Sequence, residues 1–152
     1  MRASPRFRVA GMSEAPPSDT LDRVKHSDRR CLIVDDSASF CAAAQRLLEA
    51  SGITVVGTAS TLAEAVATAE TARPDLILVD IDLGAESGFD VVEALHAATT
   101  EPRPAIILVS THDEDDFADL VEPSSAIGFL PKFELSADSI EALVLNSPRP
   151  NT

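Results

Sequence analysis

The 152-residue sequence contains no Trp and no Tyr, so aliphatic side chains and six Phe must build any folded core. Only two cysteines are present, Cys31 and Cys41, and both lie in apolar stretches. They are typical of small buried side chains rather than of a disulfide framework or a metal site. A reducing, cytoplasmic location is therefore expected. No apolar run approaches the ~18 residues that suggest a membrane-spanning helix, and no membrane association is predicted.

Basic residues are scarce in most of the chain, whose formal net charge is −13. From Arg30 to Ser147 there are five Lys and Arg residues against 21 Asp and Glu residues. A surface this acidic repels phosphate backbones. Direct binding of nucleic acid by the folded part is therefore not expected.

The two ends of the chain show no helical or strand periodicity. Residues 1–28 mix Arg, Pro, Ser and Asp, which predicts a disordered tail, and residues 148–152 are a short second tail. The first eight residues weakly resemble a targeting peptide but lack its apolar core, and a true start at Met12 is an equally good interpretation. Residues 29–147 remain as one domain.

Within this domain, five short apolar stretches alternate with five amphipathic ones. This alternation predicts an α/β fold in which a parallel sheet carries helices on both faces. Thr61 and Glu64 have the spacing of a capping box at a helix start. Strands are predicted at 31–34, 53–59, 105–110 and 126–130, and a central strand follows Pro74 and ends at Asp80. The helices are predicted at 37–50, between Ser60 and Pro74, and at 89–98, 113–121 and 136–145, the first burying Phe40, Ala44, Leu47 and Leu48.

Polar side chains follow four of the predicted strands at the point where each strand ends. The carboxyl ends of parallel strands meet at the same edge of a sheet, where ligands bind. Carboxylates that converge there repel one another, and a hard cation such as Mg²⁺ relieves that repulsion. A lysine and a hydroxyl beside them favour phosphoryl transfer to a carboxylate. The residues are Asp35 and Asp36, Asp80 with Asp82 two positions later, Ser110 with Thr111, and Lys132.

These residues resemble the response-regulator receiver domains of two-component signalling over about residues 30–146. The acidic pair, Asp80, Ser110 and Lys132 are separated by 44, 30 and 22 residues, as in that family. Gly88 and Phe129 also match. The resemblance implies a flavodoxin-like, doubly wound sheet of five parallel strands in the order 2-1-3-4-5 with five helices.

The family resemblance also implies a role for each site residue. Asp80 would accept a phosphoryl group from a histidine kinase or a phosphotransfer protein, and the domain would be a signalling switch rather than an enzyme. Asp36 would bind Mg²⁺ or Mn²⁺ directly, Asp35 mainly through water, and Asp82 through its backbone carbonyl. Ser110 and Lys132 would hold the phosphoryl oxygens, and Phe129 would turn inward as Ser110 moves.

The chain departs from the family pattern at four positions near the site. Phe133 replaces the usual proline after the lysine, and Thr111 replaces the small residue common after Ser110. Gly84 stands where proline is frequent, and Asp82 places a second charge near the acceptor. We expect Thr111 to crowd access to Asp80, and Asp82, Thr111 and Phe133 to alter the lifetime of the phosphate.

Other interpretations of the same residues stay open at the level of sequence. Asp35 and Asp36 could simply cap a helix, Lys132 could be a solvated loop residue, and Phe129 could be plain core. A receiver that is never phosphorylated could act only as a binding module. Asp80 and Asp82 also resemble the acidic pair of haloacid-dehalogenase-type phosphatases, although that pair usually lies on the first strand.

The predicted output is a protein contact. No DNA-binding or catalytic sequence follows residue 147, so a stand-alone receiver is expected, as a monomer or weak dimer. The predicted helices at 113–121 and 136–145 lack Lys and Arg. We therefore expect this acidic face to bind a downstream protein with a basic surface.

Overall fold

A five-stranded parallel sheet forms the centre of the computed structural model, which describes residues 29–100, 103–111, 121 and 123–145. The strand order is β2-β1-β3-β4-β5, and every neighbouring pair is parallel. The predicted architecture and the order 2-1-3-4-5 are therefore confirmed. The strands are β1 (Arg30–Val34), β2 (Thr54–Ala59), β3 (Leu76–Asp80), β4 (Ala105–Ser110) and β5 (Gly128–Pro131).

Four α-helices lie among the described residues. None of them is long and apolar enough to cross a membrane. The helix predicted at 113–121 lies outside the described residues apart from Val121, which is buried, and so do the predicted tails at 1–28 and 148–152. The helices are α1 (Ala38–Ala50), α2 (Leu62–Ala72), α3 (Gly88–Ala98) and α4 (Ala137–Leu145), with a 3-10 turn at Lys132–Glu134 before α4.

Each face of the sheet is covered by its own apolar layer. Helices α2 and α3 pack on one face, where Ala65, Ala69 and Leu95 meet Val79 of the central strand. Helices α1 and α4 pack on the other face through residues such as Leu48 and Ile140. Because β3 is covered on both sides, all five of its residues are buried. Each fully buried aliphatic side chain in that strand contributes about 2 kcal/mol of hydrophobic stabilisation.

Side-chain oxygens cap the helices that begin near the functional edge of the sheet. Ser37 Oγ accepts a hydrogen bond from Phe40 N (3.2 Å), and Thr61 Oγ1 accepts one from Glu64 N (3.1 Å). The predicted capping box is thus half formed, because the Glu64 carboxylate accepts from Ser60 N (2.8 Å) instead of the cap residue. Such caps stabilise a helix start by about 1 kcal/mol each.

The prediction that Leu47 faces the core is wrong, because its side chain is 40% exposed. Ala44 and Leu48 are buried, and Cys41 packs partly against the same layer. Successive residues of a helix are rotated by about 100°, so Leu48, four residues after Ala44, and Cys41, three residues before it, lie on one side of Ala44. Leu47, three residues after Ala44, lies on the other side.

Three arginines of the domain form contacts that stabilise its helices. Arg30 Nη2 donates to the Ala72 carbonyl at the end of α2 (2.6 Å), and Arg103 Nε donates to His96 O near the end of α3 (3.2 Å). Cations are favourable at these carbonyl-rich helix ends. Arg29 forms a two-pronged ion pair with Glu141 of α4, which raises the pKa of the arginine.

Candidate functional site

The acidic pair directly after β1 presents one buried and one exposed carboxylate. Asp35 is only 3% exposed, and its N–H donates to Ala59 O at the end of β2 (2.9 Å). Its Oδ1 accepts from Ser37 N (2.8 Å), so the chain turns tightly into α1. Asp36 is exposed. The end of the strand and the start of α1 together fix Asp35 at the edge of the sheet.

Asp80 is the last residue of the central strand and is 5% exposed. Its Oδ1 accepts a hydrogen bond from Asp82 N (3.2 Å), and Ile81 N donates to Val109 O on the neighbouring strand (3.0 Å). Helix α3 approaches this strand end very closely at Gly88, whose N–H donates to Ile81 O (2.7 Å). The end of the strand is therefore held by backbone on both sides, and the carboxylate itself by the Asp82 N–H.

A small hairpin that the sequence did not predict follows Asp80. Asp82–Leu83 pairs antiparallel with Glu86–Ser87, and Gly84 begins the connecting turn with φ at 69°. Proline is fixed near φ −65°, so it cannot take this position, which explains why glycine replaces it here. The hairpin is anchored to α2 because the Glu86 carboxylate accepts from Leu62 N (2.7 Å).

Lys132 follows β5 and extends its ammonium group into the carboxylate cluster. Its Nζ lies 2.7 Å from Asp35 Oδ2 and 3.6 Å from Asp80 Oδ2, and the side chain is 15% exposed. The ammonium also lies over the ring of Phe40, 4.2 Å from the ring centroid. Sequence reasoning treated Phe40 as core only, although its place in the first turn after the acidic pair was an available signal.

Ser110 and Phe129 are both buried, at the end of β4 and within β5. Ser110 ends β4 beside Asp80 and is 1% exposed, whereas the next residue, Thr111, is exposed. Phe129 is 6% exposed and packs in the layer that also contains Leu108 and Val121. The inward rotation of Phe129 that the resemblance implies stays a prediction.

The carboxylate cluster has the donor chemistry that a divalent cation requires. Oxygens of Asp35, Asp36 and Asp80 lie within 4.8 Å of one another. Asp35 Oδ2 is buried and accepts no hydrogen bond from the described residues, although it is ion-paired with Lys132. Mg²⁺ is usually bound by one or two carboxylates together with water and phosphate oxygens. The residues present therefore fit such an ion.

Burial raises the pKa of Asp80 to about 6, and the neighbouring Asp35 carboxylate adds to this effect. The Asp82 N–H and the Lys132 ammonium act in the opposite direction but do not cancel it. Without a metal ion, an ionised Asp80 is therefore costly at neutral pH.

Asp80→Asn should stabilise the metal-free domain by about 1–2 kcal/mol above pH 7, since each pKa unit corresponds to ~1.4 kcal/mol and the site is partly open to solvent. The stability that Asp80 contributes is present below pH 3.8 and is lost as the pH rises through about 6. The difference from the wild type should therefore grow across that window. Urea unfolding in EDTA at several pH values measures it, with Asp90→Asn, which removes an exposed carboxylate of α3, as control. An equal difference at all pH values would contradict the expectation.

Comparison with known protein families identifies relatives of this chain. The sequence model of the response regulator receiver domain matches residues 31–144. The chain is 32% identical over 121 residues to the acid tolerance regulatory protein ActR of Sinorhizobium medicae, covering 80% of this chain and 60% of that protein. It is 32% identical over 113 residues to the nitrate/nitrite response regulator protein NarL of Escherichia coli, covering 74% and 51%. The chain thus spans about half the length of these curated relatives.

Solved structures give the same result. A response regulator from Burkholderia pseudomallei, with a phosphorylated aspartic acid, a calcium ion and citrate, is 26% identical with a TM-score of 0.66, covering 82% of this chain and 68% of that one. The receiver domain of a putative NarL regulator from Mycobacterium tuberculosis is 28% identical with a TM-score of 0.63, covering 78% and 94%.

Proposed function

Because this chain belongs to the response regulator receiver domain family, we propose that Asp80 accepts a phosphoryl group and thereby switches a protein-binding surface. Receiver domains interact with histidine kinases or phosphotransfer proteins, and we propose such a protein as the donor. The family is generally one of signalling domains rather than enzymes. The Burkholderia relative, whose structure contains a phosphorylated aspartic acid, supports the proposal.

One geometric observation supports this function most directly. The buried carboxylate of Asp80 lies at a rigid strand end, with two further carboxylates within 4.8 Å and an ammonium 3.6 Å away. A lone nucleophile would not require three acidic groups. Three acidic groups and one cation suit a metal ion together with a transferred phosphoryl group.

In the proposed reaction, a carboxylate oxygen of Asp80 attacks the phosphorus of a phosphohistidine. The P–O bond forms as the P–N bond breaks, and the imidazole leaves with the electron pair and takes up a proton. Lys132 and Ser110 bind the phosphoryl oxygens from the sides of β5 and β4. Preorganised donors of this kind stabilise charge that develops in the transition state.

Receiver domains bind Mg²⁺ at an acidic pocket, and we propose Asp35, Asp36, Asp80 and the backbone carbonyl of Asp82 as the ligands here. When bound, the ion would supply positive charge to the phosphoryl oxygens. Mn²⁺ prefers the same oxygen ligands and is expected to substitute for it.

Incubation with acetyl phosphate and Mg²⁺ tests this function. Intact-protein mass spectrometry should show the addition of one phosphoryl group to the wild type and to Asp90→Asn, which removes an exposed carboxylate of α3. Asp80→Asn should show none, because its amide is a far weaker nucleophile. A wild type that stays unmodified would favour a binding module that is never phosphorylated. Steady hydrolysis of phosphate esters would instead favour a phosphatase.

We also propose a downstream protein with a basic surface as the partner of the acidic face. Most acidic residues of that face lie at 113–122, outside the described residues. In the described part, α4 contributes Asp138, which is exposed, and Glu141, which is already paired with Arg29. The charge that remains for a partner is therefore concentrated in the sequence before β5, and binding there should weaken with added salt.

A further inference from the structure

The ring of Phe40 lies directly against the Lys132 ammonium, at 4.2 Å between Nζ and the ring centroid. Phe40 is in the first turn of α1, where its N–H donates to the Ser37 cap, and its side chain packs partly against the layer formed by α1 and α4. The ring is therefore fixed from both its backbone and its side-chain end. The Lys132 side chain, by contrast, is a flexible four-carbon chain with many rotamers.

The ring differs from the carboxylates that contact the ammonium in one important respect. Asp35 lies 2.7 Å from Nζ and neutralises its charge. An aromatic face attracts a cation through its quadrupole and carries no net charge of its own. The ring can therefore hold the ammonium without competing with an incoming anion for its charge, whereas the carboxylates do compete for it.

We propose that Phe40 is a positioning residue that holds the Lys132 ammonium where it can bind a phosphoryl group on Asp80. The inference rests on the proposed function and adds a residue that acts through the lysine. Lysine side chains carry considerable rotamer entropy, and a fixed partner reduces what is lost when the ammonium binds an anion. Phe40 therefore increases the affinity of the site for phosphoryl-like anions.

The competing interpretation is that Phe40 only fills the space between α1 and β5. Fluorination of the ring separates the two, because fluorine withdraws charge from the aromatic face while changing its shape little. Site-specific replacement of Phe40 by mono-, di- and trifluorophenylalanine gives a graded series. A space-filling role predicts the same affinity throughout, whereas the positioning role predicts a stepwise decrease.

The affinity for beryllium fluoride in the presence of Mg²⁺ provides the readout, since this phosphoryl analogue needs no protein donor. We expect about three- to tenfold weaker binding across the series and for Phe40→Leu, the range of a partly desolvated cation–π contact. Phe40→Tyr should restore most of the affinity. Leu47→Ala is the control, because it truncates a 40% exposed apolar side chain of the same helix, about two turns away from Phe40.

A second readout requires no anion. The ε-methylene protons of Lys132 should show an upfield NMR shift from the Phe40 ring current, and this shift should disappear in Phe40→Leu. A wild type that binds beryllium fluoride with a flat fluorine series would overturn this inference alone. A wild type that binds none would overturn the proposed function and this inference with it.

Discussion

Gly88→Ala should lower the free energy of unfolding by about 3 kcal/mol or more and disturb the end of β3 that carries Asp80, because a Cβ there clashes with backbone. The added atom would lie 2.2 Å from Asp80 O and 2.6 Å from Ile81 Cα. A backbone clash cannot be relieved by a rotamer change, so either α3 or the end of β3 must move. Urea unfolding followed by circular dichroism measures the loss.

Gly57→Ala is the matched control for this substitution. Its Cβ would meet Thr68 Cγ2 at 3.1 Å, and a side chain can shift where a backbone cannot. We expect a change within about 1 kcal/mol for this variant. Equal stability losses in the two variants would show that the approach of α3 to Asp80 is looser than described.

Lys132→Gln should slow phosphorylation by acetyl phosphate about 100-fold or more, because it removes the donor that we propose for the phosphoryl oxygens. The same substitution should tighten Mg²⁺ binding. The ammonium lies 2.7 Å from Asp35 Oδ2 and competes with any other cation for the carboxylates. Calorimetric titration with Mg²⁺ and the labelling rate by intact mass measure the two effects.

These opposite changes distinguish a role in the site from general damage. Unfolding would weaken both Mg²⁺ binding and labelling, whereas loss of the ammonium alone strengthens one and weakens the other. Arg46→Gln, which removes an exposed cation from α1, should change neither by more than about twofold. Unchanged labelling in Lys132→Gln would contradict the assignment of this lysine.

The cluster of polar residues at the carboxyl ends of the strands could be predicted from the sequence. The run Leu76–Asp80 is buried on both faces and ends in a carboxylate, and of its two neighbours β1 is followed directly by Asp35 and β4 ends in Ser110. Because parallel strands share one direction, their ends must converge, whatever the details of packing. The cluster of Asp35, Asp36 and Asp80 could therefore be located before any coordinates were known.

Features that depend on contacts between distant side chains could not be predicted. The contact of Phe40 with Lys132 joins α1 to the residue after β5, and Glu86 reaches Leu62 across 24 positions. Hydrophobic periodicity indicates only whether a side chain faces the core, not which distant residue it contacts. For Leu47 it predicted the wrong face, because an Ala-rich helix has a weakly defined apolar face.

Locating the phosphoryl group in the wild-type protein tests the central claim most directly. After reaction with acetyl phosphate and Mg²⁺, borohydride reduction converts an aspartyl phosphate into homoserine, which peptide mass spectrometry can place in the sequence. We expect a single homoserine at position 80, and none when EDTA replaces Mg²⁺. Modification at Asp35, Asp36 or Asp82 instead, or modification of Asp80 that is independent of Mg²⁺, would contradict this expectation.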